Sequence, residues 1–258
     1  MSYAPWSISK ADVALACNLR FKLRYDVGEK GQAITSGAGR IGSAVHIVLE
    51  TMLEGGSFEA GFKKGVMKAA LTHKETYELK TYREPVDRFM KKYGDWKSRY
   101  NVLEEHVEKQ VSINKDLDII GYWDKPGYFR GVFDLGVLVE RAGKKYLIVI
   151  DHKSGDPKPI ENYTKQLHSY MVCALSLYPD IAGAQAAIHW LRAQEDLDQK
   201  PIEWTQMYSA ETIQNKLVPW LHNYLGEAQE RGDAAPEANE GWYCTFCEYQ
   251  YKCPKKGA

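Results

Sequence analysis

The sequence predicts an α/β fold, a mixed sheet flanked by helices with a helical lobe on its N-terminal side. Three observations predict it. Apolar residues recur at helical spacing through most of the first hundred positions. Two strand-like segments, 131–140 and 145–151, follow with a short connection between them. After them helix and strand signals alternate to residue 231, as in a layered α/β domain.

The elements follow in order. Ser7 and Ser9 are capping residues ahead of a helix expected over Ala11 to Tyr25. Gly28 to Gly39 is a glycine-rich loop. A helix is expected from Gly42 to about Glu54, with Val45, Val48, Leu49 and Met52 on one face. Residues 58–100 read as further helix, broken near Pro85. From Val102 the period changes, and Glu104 to Ile113 and Leu117 to Trp123 read as strands. Gly131 to Glu140 and Lys145 to Asp151 are the clearest strands, joined as a hairpin by Arg141 to Lys144. Residues 160–178 form an amphipathic helix that Pro179 ends. Ala184 to Arg192 and Ile202 to Tyr208 are two more strands around a charged loop, and a helix runs from Ala210 to Arg231.

Composition bounds the function. The 258 residues are 44% apolar and 26% charged, with zero formal net charge. That argues against a protein coated for non-specific nucleic-acid binding. Charge is local instead: residues 61–100 carry eleven Lys and Arg against five acids, a net of +6. Such a stretch either faces a phosphate backbone or forms a solvated helical face. No apolar run reaches the length of a membrane span. Lys10, Asp12 and Cys17 interrupt any signal-peptide core. A reducing, cytoplasmic compartment is therefore expected, in which cysteines bind metals or catalyse rather than pair.

Five cysteines are present. Cys17 lies near the start, and Cys244, Cys247 and Cys253 form C-x2-C-x5-C-P near the end. A group held by all four would tie the two ends together. The spacing alone leaves zinc and an iron–sulfur cluster open. Cys173, among apolar helical residues, reads as a small core residue.

A second constellation lies between the cysteines. Asp151 and Lys153 are two apart at the end of an apolar strand, so they point to one side. A D-x-K tripeptide occurs by chance about once in a chain this long, so its placement carries the weight. Asp134 sits inside the preceding strand, where an acid is costly unless it binds a cation or a donor. In a hairpin the two acids converge, and carboxylates suit Mg²⁺ or Mn²⁺. Lys153 can orient water and stabilise charge on phosphoryl oxygens. His46 can complete the metal shell from a helix. Gln166 and Tyr170, four apart, share a helical face beside Lys153.

At these residues the chain resembles the PD-(D/E)xK nucleases, and most of all their RecB-like and Cas4-like exonucleases. Gly42-Ser-Ala-Val-His46, Gly131-Val-Phe-Asp134, Asp151-His-Lys153-Ser-Gly155 and Gln166-Leu-His-Ser-Tyr170 stand in the order of that family's motifs. The resemblance implies a restriction-endonuclease-like core. It implies His46, Asp134, Asp151 and the His152 carbonyl as ligands of Mg²⁺ or Mn²⁺, with Lys153 as the catalytic cation. Gln166 and Tyr170 belong to the motif that follows. It also implies a 4Fe–4S cluster on Cys17, Cys244, Cys247 and Cys253, with zinc as the second candidate. One nuclease domain over 1–258 is expected, with 1–30 and 232–258 around the cluster, 40–100 as the helical lobe and 101–231 as the core. The implied activity is DNA exonucleolysis from single-stranded ends, 5′→3′ ahead of 3′→5′, in replication, recombination, repair or CRISPR-type processing. The alternatives are an endonuclease, a subunit working with a helicase, integrase or recombination partner or as a homo-oligomer, and an inert DNA-binding module.

Other motifs are set aside. Gly37-Ala-Gly39-Arg-Ile-Gly42 spells a dinucleotide fingerprint but lacks the strand that must precede it. Tyr122, Trp123, Tyr128 and Phe129, beside Lys125 and Arg130, read first as hairpin packing and second as a base-stacking surface.

Overall fold

The computed structural model describes residues 3–32, 37–193 and 199–255. A six-stranded sheet is built from β1 (Asn101–Ile113), β2 (Phe129–Arg141), β3 (Lys144–Lys153), β4 (Gly183–Trp190), β5 (Ile202–Trp204) and β6 (Tyr208–Ser209). The order is β1-β2-β3-β4-β5, with β6 also on β4. β1, β2 and β3 are antiparallel neighbours, whereas β3 and β4 are parallel. A parallel pair needs a crossover, which α7 (Thr164–Leu177) supplies. The β2–β3 hairpin turns at Ala142 and Gly143, with φ of 51° and 71°. Two successive positive φ values match the right-handed strand twist.

Both faces of β2 and β3 are buried, which is why they read as nearly continuous apolar runs. On β3, Leu147 and Val149 enter one core, and Ile148 and Ile150 enter the other. The first core gathers α1 (Ile8–Ala16), α2 (Asn18–Tyr25), α7 and α9 (Val218–Asp233). The second gathers α3 (Gly37–Leu53), α4 (Phe58–Lys68), α5 (His73–Lys80) and α6 (Arg83–Lys97).

Several elements differ from their sequence expectations. The helix expected over Ala11 to Tyr25 is two helices, because Cys17 is extended (φ −152°, ψ 106°). Ser7 caps the first by accepting from the Lys10 amide. α3 begins at Gly37, five residues before its expected start. Residues 58–97 form three helices, and Pro85 lies in the first turn of α6, where its missing N–H costs nothing. Leu117 to Trp123 is not a strand. Leu117 has φ of 69°, and Ile119 makes a single bridge to Ile113. The strand expected over Ile202 to Tyr208 divides into β5 and β6. The charged loop before it falls, at residues 194–198, outside the described residues, as do 33–36 of the glycine-rich loop. The helix from Ala210 opens as α8 (Ala210–Thr212), widens to π geometry over Ile213–Leu217 and continues as α9.

The C-terminal segment folds back on the first two helices. Tyr243 donates to the Ala16 carbonyl at 2.6 Å, and Asn18 donates to that of Arg231 at 2.7 Å. Arg20 pairs with Glu248 at 2.7 Å, and the Gln32 amide reaches the Glu248 carbonyl at 2.9 Å. Among the described residues no helix is long and apolar enough to cross a membrane.

Candidate metal centre and active site

Three elements carry the acids. Asp151 and Lys153 lie on the same face of β3, as alternation requires, and both turn towards α7. Lys153 Nζ is 2.6 Å from Asp151 Oδ2. Gln166 and Tyr170, one turn apart on α7, close the network. Gln166 Nε2 donates to Asp151 Oδ1 at 2.8 Å, and its Oε1 accepts from Lys153 at 3.3 Å. Tyr170 donates to Asp151 Oδ1 at 2.9 Å. Asp151 is thus held from three sides.

Asp134 lies beside it for a backbone reason. The β2–β3 ladder ends at the pair Leu135–Ile150, leaving the His152 amide without a backbone partner on β2. The Asp134 carboxylate takes its place, accepting from that amide at 2.7 Å. The His152 ring turns to the opposite face. Its Nδ1 is 2.9 Å from that of His189, and Phe89 packs edge-on at 4.7 Å. Burial drives the His152 imidazole well below its ordinary pKa, so it stays neutral.

His46 comes from the middle of α3, which Val45, Val48 and Leu49 anchor in the second core. Its Nδ1 is 3.5 Å from Asp134 Oδ2 and 3.5 Å from Glu108 Oε1. One ligand atom from each of His46, Glu108 and Asp134 lies within 4.8 Å of the others. Ligand atoms around an octahedral Mg²⁺ are separated by roughly 3 to 4 Å, so the set fits a hard divalent cation with slight closure. Asp151 is adjacent to this group rather than in it, and its charge still reaches both His46 and Asp134.

The electrostatics are those of a cation site. Burial alone would lower the His46 pKa. The Glu108 contact and the charges of Asp134, Glu108 and Asp151 outweigh it and take the imidazole up to about 9. Burial, then the Asp151 charge, push Asp134 up to about 7, against the pull of His46 and the His152 amide. A bound cation would offset that crowding.

Glu108 is the functional candidate that the sequence reading missed. It stands opposite Asp134, since the flanking pairs are Val107–Leu135 and Lys109–Phe133. Its φ is 49°, a left-handed conformation that costs a non-glycine residue about 1 kcal/mol or more. The strands change phase there. Phe129 and Phe133 pack into the first core, whereas Leu135, Val137 and Val139 pack into the second. On β1, Val111 and Ile113 join the first core and Val107 the second. The only sequence signal was an acid in a strand, and register was needed to use it.

The four terminal cysteines are free thiols, Cys17 buried and the other three half-buried. Burial pushes the Cys247 thiol up, and Cys17 is near enough to add to the shift. No three of these sulfurs lie within 4.8 Å of one another. Four thiolates at 2.3 Å from zinc would stand about 3.8 Å apart, so the sulfurs are not drawn into a closed zinc set. Cys173 is a core residue, as expected; burial takes its thiol up to about 12.

Gly37, Gly39 and Gly42 all lie within α3, and no described strand precedes them. Tyr128 and Phe129 are buried, as hairpin packing predicts, while Tyr122 and Trp123 each lie 5.1 Å from the Arg130 guanidinium. Part of the +6 charge over 61–100 is neutralised by acids outside that stretch, Glu50 for Lys64, Glu59 for Arg83 and Glu105 for Lys97.

A sequence model of the PD-(D/E)XK nuclease superfamily matches residues 5–254, and the chain belongs to that superfamily. Its members are nucleases that use divalent metal ions, and the mixed sheet flanked by helices is their fold. A solved structure titled "Crystal structure of SSO0001" aligns with 93% of this chain and 96% of that chain, at 15% identity and a TM-score of 0.33. No curated protein matches the chain.

Proposed function

We propose that the protein is a Mg²⁺- or Mn²⁺-dependent DNA exonuclease that hydrolyses single-stranded ends, 5′→3′, as one domain over 1–258. The observation that carries the reading is the Lys153–Asp151 pair at 2.6 Å, set beside Asp134 and the His46–Glu108 pair. Superfamily membership supports the nuclease class. End dependence and polarity rest on the resemblance to RecB-like and Cas4-like motifs.

His46, Glu108 and Asp134 would hold the metal, with Asp151 and the His152 carbonyl completing its shell. When bound, the ion supplies charge neutralisation and a more acidic water. Lys153 orients that water and stabilises charge developing on the phosphoryl oxygens. Gln166 holds Lys153 and Asp151 at fixed separation, and Tyr170, whose burial keeps it protonated, donates to Asp151. The four thiols of Cys17, Cys244, Cys247 and Cys253 lie on two docked segments, with zinc as the second candidate occupant. They are proposed to carry a 4Fe–4S cluster whose role is structural.

The test uses anaerobically prepared protein and its Lys153→Ala variant on 5′-labelled linear and closed circular single-stranded DNA, with Mg²⁺ or Mn²⁺. Cleavage of linear DNA alone, lost in the variant with DNA binding retained, is expected, and the product ladder gives polarity. Cleavage of circles would replace the exonuclease reading with an endonuclease. No cleavage by either protein would leave a partner-dependent subunit or a binding module.

A further inference from the structure

The helical lobe makes a polar contact with the chain immediately after the catalytic strand. Tyr82, between α5 and α6, is 3% exposed and packs in the second core. Its hydroxyl donates to the Ser154 carbonyl at 2.6 Å. Ser154 directly follows Lys153. The hydroxyl in turn accepts from Arg192 Nε, and the guanidinium lies over the Tyr82 ring at 4.8 Å. Arg192 also donates to Glu78 of α5 at 2.6 Å. On the neighbouring strand, the Leu191 amide donates to the Lys153 carbonyl at 3.0 Å. Two consecutive carbonyls, those of Lys153 and Ser154, are therefore gripped from outside β3, one by the β4 end and one by the lobe.

We propose that Tyr82, aligned by Arg192 and Glu78, is a positioning residue that fixes the backbone after Lys153 and so sets the lysine against Asp151. The lysine has a long, flexible stem, and its ammonium must be placed to within a fraction of an ångström. Gln166 restrains the ammonium end, and the Tyr82 hydroxyl restrains the backbone end. A phenylalanine at 82 would keep the apolar packing and lose only the hydrogen bonds. This inference rests on the nuclease reading for its rate measurement, but not for its structural one.

The experiment compares wild type with Tyr82→Phe and Arg192→Lys. Lysine keeps a charge for Glu78 but loses the fixed fork that reaches both partners. In Tyr82→Phe the kcat on labelled single-stranded DNA is expected to fall roughly ten- to a hundredfold, with KM and the Mn²⁺ Kd changed by less than about threefold. Hydrogen exchange of the Leu191 amide, which donates to the Lys153 carbonyl, should quicken while α7 stays protected. The double variant should be no slower than the worse single one, because both act through one contact chain. A wild-type kcat in Tyr82→Phe, or a loss of Mn²⁺ binding in parallel with rate, overturns the proposal. If the wild type alone cleaves nothing, the reading as a self-sufficient exonuclease fails. The exchange measurement still decides the proposal, and unchanged exchange at the Leu191 amide overturns it.

Discussion

Glu108 and Asp134 face each other across β1 and β2, and both strands change phase at that pair. Glu108 has a left-handed backbone at this pair, and its carboxylate lies 3.5 Å from His46. Strain of this kind persists where surrounding structure imposes it, and here it assembles a donor set.

Glu108→Gln keeps the shape and removes the charge. Mn²⁺ affinity, measured by calorimetry, is expected to fall at least about tenfold. An unchanged affinity would remove Glu108 from the metal shell.

Asp134→Asn relieves a buried carboxylate crowded by Asp151. The metal-free variant is expected to melt about 2–4 °C higher than wild type, while its Mn²⁺ binding is lost. A lower melting temperature would show that the His152 amide and His46 contacts outweigh the crowding.

Gln166→Met keeps length and volume without the bridge between Asp151 and Lys153. Cleavage is expected to slow by about ten- to a hundredfold, with Mn²⁺ affinity within about threefold of wild type. Equal cleavage rates would make the bridge incidental.

Glu75 gives a pH test remote from the acids. Arg40, then the Thr72 amide and hydroxyl, hold its carboxyl down to about 2. An acid depressed in the fold stabilises it above its ordinary pKa of 4.5 and loses that contribution as pH falls towards 2. Hydrogen exchange in α5, corrected for intrinsic rates, should therefore quicken between pH 4.5 and 2 in wild type. In Glu75→Gln it should already be fast at neutral pH. Matching pH profiles would exclude the Arg40–Glu75 pair as the clamp on α5.

Anaerobically purified protein is expected to be brown with about four irons per chain, and Cys17→Ala should lose that iron and loosen both termini. A colourless protein with one zinc would replace the cluster.

What the sequence made legible follows from distance along the chain. Asp151 and Lys153 share a face because strands alternate, and Gln166 and Tyr170 share one because helices turn. Both are local rules. Glu108 needed the β1–β2 register, which the irregular connection 114–128 hides. The break at Cys17 was hidden for a different reason. Local propensity favours one continuous helix, and the docked C-terminal segment, through Tyr243 and Glu237, engages the chain on either side of the break. Pro85 misled because its effect depends on where the helix begins. His46 was legible only through its motif, since one histidine on a helix says nothing of what it faces.

The phase change has a mechanical consequence. The lobe grips one side of the sheet and the α7 layer grips the other. Along β2 the row of apolar anchors passes from one layer to the other at Asp134. A shear between the two layers would be concentrated at that row and would alter the spacing of the donor atoms before it disturbed either core. The site is thus placed where a displacement of one layer against the other would be converted most directly into a change in the spacing of its donor atoms.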